Sequence, residues 1–197
     1  MTLASLAIFA FVSSITPGPN NLMLMASGAN FGLLRTVPHM LGISVGFAMM
    51  MILVGSGLTQ LFDRYPAIYT VLKVASVAYM LFLAWKIANA APLRRREGAG
   101  KPMTFLQAAA FQWVNPKAWA MALTAVTVYV AGATAGYLIL AAMMFATVNL
   151  PSVTVWTVMG REMARVLNKP ARLRAFNWTM AALLIASLYP VLSLGAQ

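Results

Sequence analysis

Residues 16–21 read TPGPNN and lie inside an apolar run that carries no charge from residue 1 to residue 34. A run of this length can hold a bilayer-spanning helix, which needs about 20 mostly apolar residues. Pro17 and Pro19 lack an N–H, so a continuous helix through them costs about 3 kcal/mol, and Gly18 adds backbone freedom. Because unpaired peptide groups are costly in lipid, the break must face protein or a wet cavity. The segment therefore predicts a broken membrane helix whose break faces inward.

The composition predicts an all-α integral membrane protein that works without a cofactor. Hydrophobic residues make up 61% of the chain and charged residues 9%, whereas an average soluble domain is roughly 25% charged. The chain has no Cys and one His, which argues against thiol chemistry and against a metal site. Its Lys and Arg residues lie between apolar runs, so membrane topology explains them better than a nucleic-acid partner. We expect a lipid bilayer as partner, and the sequence is compatible with a homo-oligomer.

The uncharged runs predict six transmembrane helices in a single domain that covers residues 1–197. Short loops rich in Lys and Arg remain on the cytoplasmic side of a membrane. Six spans place both Arg-rich loops, near residues 86–101 and 161–174, on that side and both termini in the periplasm. The approximate ranges of the spans are 3–27, 38–60, 66–89, 104–129, 134–159 and 175–193.

A predicted cytoplasmic linker, 92–102, divides the chain into half-repeats 1–91 and 103–197 of three spans each. An odd number of spans makes the halves enter the membrane from opposite sides, as in the inverted repeats of many transporters. The first span of the second half has its own interruption at residues 115–117 (NPK), in nearly the matching position. Broken helices in corresponding positions of two repeats indicate a transport site near the midplane of the membrane.

A broken helix offers two partial charges that suit a zwitterionic substrate. The free N–H groups after Pro19, at Asn20 and Asn21, lie at the partially positive start of a half-helix and can hold a carboxylate. The carbonyls near Val12 and Ser13, at the partially negative end of the preceding half-helix, can hold an ammonium. We therefore predict that residues 17–21 bind the charged ends of an amino acid.

The second break adds Asn115, Pro116 and Lys117 to the predicted substrate site. A lysine inside an apolar run costs about 2.5–3.5 kcal/mol on insertion scales, so it needs a partner. No acidic residue lies within a predicted span, and one interpretation gives Lys117 the carboxylate of a substrate. In the alternative, the helix starts near Pro116 and Lys117 extends to the cytoplasmic interface.

Three further residues in the spans, and one in an outer loop, are candidates for function. Asn149 and Pro151 predict an interruption of the fifth span, which is either a substrate contact or a packed proline kink. Proton coupling usually employs an intramembrane Asp or Glu, and the predicted spans contain none. The candidates for it are His39, just after Pro38 at the cytoplasmic end of the second span, and Asp63 in an outer loop.

Residues 15–48, ITPGPNNLMLMASGANFGLLRTVPHMLGISVGFA, and residues 105–119, FLQAAAFQWVNPKAW, resemble the LysE/RhtB family of bacterial amino-acid exporters. The Pro-Gly-Pro motif, four glycines and the Asn-Pro-Lys motif match the family pattern in order and spacing. The paired asparagines after Pro-Gly-Pro resemble the family's cysteine and O-acetylserine exporters. The resemblance covers nearly the whole chain and implies a multi-pass exporter in the bacterial inner membrane, driven by the proton-motive force.

The residues and the resemblance together predict a secondary active exporter of small neutral amino acids or derivatives, of the cysteine, O-acetylserine, homoserine or threonine kind. Its two halves are expected to work by alternating access. The alternatives are a passive channel, an exporter of another small metabolite and an exporter of basic amino acids. A basic substrate is disfavoured because the spans offer no carboxylate for its side chain. With no Cys and one His, the chain also lacks the groups of an intramembrane enzyme.

Overall fold

The computed structural model describes residues 3–58, 60, 64–65, 67–90, 100–130, 132, 134–167 and 169–189. Asp63 and residues 92–99 of the predicted linker lie outside these ranges. Within them the chain is helical and forms no strand, as predicted. In chain order the helices are α1 (Leu3–Ile15), α2 (Pro19–Phe31), α3 (Leu33–Leu53), α4 (Ala67–Ala88), α5 (Phe105–Phe111), α6 (Pro116–Thr124), α7 (Ala135–Val166) and α8 (Pro170–Ala186).

Three single turns extend this helical pattern. A π-helical turn, Val54–Leu58, follows α3, and another, Ala125–Tyr129, follows α6. A 3-10 turn, Gln112–Val114, joins α5 to the break before α6. The predicted span 104–129 is therefore a series of short helical pieces.

Among the described residues, three helices are long and apolar enough to cross a membrane: Leu33–Leu58, Thr70–Ala88 and Ala135–Val166. A fourth span arises if α1 and α2, which meet at an angle of 54°, are taken together. The predicted break in the first span is thus found between Ile15 and Pro19. Neither the short pieces of 104–129 nor α8, with 17 residues, qualifies as a single span. The count of six spans stays a prediction.

The turn between α2 and α3 is much shorter than predicted. The predicted spans leave a loop over residues 28–37, whereas α2 continues to Phe31 and α3 begins at Leu33. Gly32 alone makes the turn, with a φ of 78° that favours glycine. Thr36 Oγ1 donates to the carbonyl of Gly32 at 2.8 Å and so stabilises the start of α3. His39 therefore lies inside a helix and not in a loop.

Helix α7 is the longest element and the centre of the packing. Its 32 residues span about 48 Å and continue through Pro151 without a break. It packs against α1, α2 and α3, while α5 packs on α3 and α4 packs on α8. A Cβ added to Gly28 of α2 would collide with the Thr157 carbonyl, and one added to Gly160 with the Met25 carbonyl. Glycine at these two positions lets the backbones of α2 and α7 touch.

The outward face of the helices is apolar, as expected for contact with lipid. Soluble proteins rarely expose large contiguous apolar surfaces, yet large hydrophobic side chains are more than half exposed on most of these helices. Examples are Ile8 of α1, Met49 of α3, Val71 and Trp85 of α4, Leu106 of α5, Met143 of α7 and Trp178 of α8. Buried polar side chains lie instead between helices. Five of them surround the first break, namely Ser14, Asn21, Gln112, Asn115 and Asn149.

Candidate functional site

The candidate site lies at the break between α1 and α2. Gly18 is the extended residue before α2, and Pro19 occupies the first helical position, where its missing N–H costs nothing. The first helical bond of α2 runs from Leu22 N to Gly18 O at 3.0 Å. The amides of Asn20 and Asn21 precede that bond, so they lie at the partially positive start of α2, as predicted.

The break faces inward only in part. Gly18 and Pro19 are buried, as predicted, but Thr16 and Pro17 are exposed. Their carbonyls instead have a partner in a side chain of the second half. Lys117 Nζ donates to Thr16 O at 2.6 Å, to Thr16 Oγ1 at 3.0 Å and to Pro17 O at 3.3 Å. Since this ammonium satisfies the exposed carbonyls, the break does not need to be packed on every side.

The contacts of Lys117 place it at the break of the first half. A Cβ added to Gly18 would lie 2.5 Å from Lys117 Cδ, so the glycine leaves room for the lysine stem. The partner of the ammonium is the carbonyl end of α1, which carries the partial negative charge of a helix C-terminus. In the described part of the chain it has no carboxylate partner. Neither of the two sequence interpretations, a substrate carboxylate or the cytoplasmic interface, anticipated this partner.

The carbonyls at the end of α1 that accept from side chains lie a few residues later in the chain than the predicted ones. Val12 O accepts from Thr16 N at 3.2 Å, and Ser13 O accepts from Thr16 Oγ1 at 3.0 Å, so neither is free. The carbonyls of residues 14–17 accept from side chains instead. Asn21 Nδ2 donates to the carbonyls of Ser14 and Thr16 at 2.8 and 2.7 Å. Helix α1 continues one turn further than the sequence suggested, and its free end moves with it.

Trp156 of α7 completes the set of donors at the end of α1. Its indole Nε1 donates to the carbonyl of Ile15 at 3.0 Å. The indole of Trp119, by contrast, donates to Trp113 O at 2.8 Å within the second half. No sequence signal distinguishes Trp156, because a tryptophan in a membrane helix is usually interpreted as an interfacial anchor.

The second break is capped by its own asparagine. Asn115 is 1% exposed, and its Oδ1 accepts from Lys117 N at 3.1 Å at the start of α6. Pro116 occupies the first helical position of α6, as Pro19 does in α2. Residues 115–117 thus form a standard helix start, and they also direct Lys117 toward the first break.

A reciprocal pair of amides joins the two halves beside the break. Asn20 Nδ2 donates to Gln112 Oε1 at 2.9 Å, and Gln112 Nε2 donates to Asn20 Oδ1 at 3.3 Å. Gln112 is fully buried and was missed by the sequence analysis. A lone amide in an apolar segment, three residues before Asn115, was the signal that could have identified it.

Asn149 links α7 to α1 and to α3, two of the first-half helices that surround the site. Its Nδ2 donates to Ser14 Oγ at 3.1 Å, and its Oδ1 accepts from Ser44 Oγ at 2.8 Å. Pro151 is exposed and does not line the site. The predicted interruption at Pro151 is wrong as a helix break, since α7 is continuous there and the missing N–H is accommodated in the helix.

A cavity of about 20 Å³ lies among these side chains. That volume holds about one water molecule and no amino acid. The predicted site residues that line it are Gly18, Asn20, Asn21, Asn115, Lys117 and Asn149, whereas Pro17, Pro19, Pro116 and Pro151 do not. The structure thus brings together the polar members of both predicted breaks and places the prolines around them.

His39 lies outside this cluster of polar side chains. It is buried in α3 with 1% of its surface exposed, which corrects the expectation of a residue near a loop. Neither of its ring nitrogens has a hydrogen-bond partner among the described residues. It lines a second, larger cavity that borders α2 at residues 23–31, further along this helix than the break. Asp63, the other candidate for proton coupling, lies outside the described residues.

The comparisons with known proteins agree with the resemblance seen in the sequence. The LysE type translocator family matches residues 11–187. A cysteine/O-acetylserine efflux protein of Klebsiella pneumoniae is 28% identical over 179 residues, which cover 90% of each chain. A protein of the same name from Escherichia coli K12 is 27% identical over the same share. No solved structure gives a significant match.

Proposed function

The chain belongs to the LysE type translocator family, and on that premise we propose that it exports small neutral amino acids or their derivatives across the bacterial inner membrane. The substrates follow the relatives that are named for cysteine and O-acetylserine efflux, and homoserine and threonine are of similar size and charge. The observation that carries the proposal is the bridge from Lys117 to the carbonyls of Thr16 and Pro17. This bridge joins the two halves of the chain at the first break, where the carbonyl groups at the end of α1 have no partner within the helix.

In this proposal the substrate takes over contacts that side chains make at the break. Its ammonium replaces that of Lys117 at the Thr16 and Pro17 carbonyls, since both cations donate N–H groups to the same partial negative charge. Its carboxylate binds the amides of Asn20 and Asn21 and pairs with the displaced Lys117 ammonium. The cavity of about 20 Å³ is too small for an amino acid, so the break must open for binding.

Opening at the break provides a route to alternating access. The Asn20–Gln112 pair and the Ser14–Asn149 contact are two separate links between the halves, and all four residues line the cavity. If the substrate separates one of these two links while the other link stays closed, the site is open to one side of the membrane at a time. Pro116 and Pro151 act in this scheme through the geometry of their helices and not through contact with the substrate.

The same proposal includes six spans arranged as two inverted repeats, with residues 92–102 as a cytoplasmic linker and both termini in the periplasm. The helix packing supports the inverted repeat, because the contacts between spans keep the same pattern when the two halves are exchanged. The first span of the first half, α1 with α2, packs on α7, the second span of the other half. In return, α5 of the first span of the second half packs on α3. The third spans, α4 and α8, pack on each other.

The energy source we propose is the proton-motive force. A proton that crosses 100 mV supplies about 2.3 kcal/mol, enough for roughly fortyfold accumulation. His39 and Asp63 are the proposed proton carriers. The burial of His39, with no hydrogen-bond partner among the described residues, supports a special role for it, whereas Asp63 is proposed from the sequence alone.

Proteoliposomes that contain the full chain test this function directly. We expect them to move radiolabelled O-acetylserine and cysteine against their gradients when a proton gradient is imposed, and to stop when an uncoupler is added. Flux that ignores the uncoupler and only follows the substrate gradient would show a passive channel. If no neutral amino acid moves under any gradient, the proposed function is wrong.

Variants at the break test the site. Asn20→Leu removes the amide pair with Gln112, and Pro17→Ala allows the helix to continue through the break. We expect each to lower export by about tenfold or more, because buried polar groups lose their partners, with a normal amount of protein in the membrane. Gln60→Leu, which changes an exposed amide outside the candidate site, is the control. Normal export by both variants would place the substrate elsewhere.

A further inference from the structure

A cavity of about 400 Å³, much larger than the one at the break, borders α2 at residues 23–31. Cavities of roughly 300–1,000 Å³ are the usual size of small-molecule sites. Helices α2, α3 and α4 and residues 100–103 before α5 form its wall. Much of that wall is apolar, from Met23, Leu83 and Met103, and Lys86 and Lys101 add positive charge.

His39 lies in the wall of this cavity and is the polar group that most needs a partner. Both of its ring nitrogens are buried and unpaired within the described part of the chain. A neutral imidazole carries one donor and one acceptor, and leaving a buried polar group unpaired is costly. The neighbouring polar side chains in the wall already have partners, since Ser27 bonds with Thr36 and Asn30 with Asn177. A ligand in the cavity that reaches the ring would supply the partner that the described residues do not.

The charges in the wall define the sign of that ligand. Lys86 and Lys101 make no ion pair within the described ranges. The acidic residue that these ranges contain, Glu162, is paired with Arg161 and Arg165 at 2.6 Å each. Among the described residues, the cavity therefore offers cations without compensating carboxylates, beside an apolar wall.

We propose that this cavity is a second binding site, which takes a small amino acid by its carboxylate before the molecule reaches the break. Lys86 and Lys101 attract the carboxylate, His39 bonds one of the charged ends of the zwitterion, and the apolar wall contacts the side chain. This site rests on the proposed function for its choice of ligand. Helix α2 forms one wall of the cavity with residues 23–31 and one wall of the break with residues 20–21, so it connects the two.

The absence of cysteine in this chain allows a clean test. A single Ala90→Cys variant places a thiol in the cavity wall, and Ala171→Cys places one on the exposed start of α8. The purified full chain is labelled with methyl methanethiosulfonate, with and without O-acetyl-L-serine, which carries no thiol. At a ligand concentration about ten times its Kd, the labelling of Ala90→Cys should slow by about elevenfold. The labelling of Ala171→Cys should not change.

Substitutions in the cavity identify the groups that bind the ligand. In the Ala90→Cys background, His39→Leu should raise the concentration needed for protection by about tenfold, and His39→Gln should restore part of the affinity. Lys101→Gln, an exposed change that places no demand on folding, should weaken protection by a smaller factor. If protection is the same in His39→Leu and Lys101→Gln as in the parent, the ligand does not bind in this cavity.

Parallel transport measurements separate this inference from the proposed function. Export of O-acetylserine without protection of Ala90→Cys would overturn the second site and leave the function intact. Protection without export would support the site while the proposed function fails. The labelling is repeated in nanodiscs of neutral and of anionic lipid. Slow labelling in anionic lipid alone, with no further effect of O-acetylserine, would show a lipid headgroup in the cavity and would overturn the inference.

Discussion

The two helix breaks begin with the same signal and are stabilised in different ways. Each half-helix starts with a proline at its first position, Pro19 in α2 and Pro116 in α6. The second break is capped by Asn115, one residue before its proline. The first break has Gly18 at that position, and no side chain caps α2. The second break can therefore form within its own half, whereas the first cannot satisfy its peptide groups alone.

The missing partners of the first break come from the other half. Lys117 and Trp156 donate to the carbonyls at the end of α1, and both lie more than a hundred positions along the chain. The first break is thus complete only when the halves are in contact, which makes it sensitive to any motion between them. Variants at the two breaks should therefore differ, with loss of transport at the first and loss of stability at the second.

The largest effect is expected for Lys117→Met, which removes the ammonium from the first break. Hydrogen bonds from a charged donor contribute about 1.5–3 kcal/mol, so the initial rate of substrate efflux should fall by about 10–100-fold. Lys73→Met, a change of another half-buried lysine in an apolar helix, is the matched control and should export normally. Equal export by both variants would show that the bridge to the Thr16 carbonyl has no role in transport.

A smaller and different effect is expected for Asn115→Ala. Loss of a helix cap costs about 1 kcal/mol, so the melting temperature of the purified protein should fall by a few degrees. Asn115→Ser keeps a capping oxygen and should melt near the parent. The ratio of stability loss to transport loss should be higher here than for Lys117→Met. An equal drop for the alanine and serine variants would argue against capping as the role of Asn115.

The smallest effect is expected for Trp156→Phe, which removes one neutral donor from the first break and keeps most of the ring. One such hydrogen bond contributes about 0.5–1.5 kcal/mol, so efflux should fall by roughly two- to tenfold. Trp178→Phe, on the outward face of α8, is the control and should have no effect on efflux. A loss as large as that of Lys117→Met would mean that the indole, and not the ammonium, is the main link between the halves.

The sequence predicted the features that depend on local chemistry. Two prolines within three residues define the first break wherever the helix packs, and Asn-Pro defines the start of α6 in the same way. The all-helical class followed from the apolar runs. These are backbone effects, so they do not require knowledge of any distant partner.

The errors came from positions where a distant or unusual contact decides the outcome. Arg35 and Pro38 look like loop residues, yet the turn is confined to Gly32, and the guanidinium of Arg35 lies over the Phe31 ring at 5.7 Å. Gln112 went unnoticed because its partner, Asn20, is 92 positions away. The same holds for the bridge from Lys117 to the end of α1. No local pattern encodes contacts across such separations.

The glycine contacts between α2 and α7 limit how this protein can move. Gly28 and Gly160 bring the two backbones so close that a sideways shift or a rotation of either helix would drive carbonyl groups into carbon atoms. We therefore expect α2 and α7 to move as one rigid unit, although they come from opposite halves of the chain. We expect motion instead in α1, at residues 16–18, and in the short helices α5 and α6, at Asn115, where the helices are interrupted. In this view the two breaks are the hinges of the protein, and the packed pair of α2 and α7 is the rigid unit about which the other helices move.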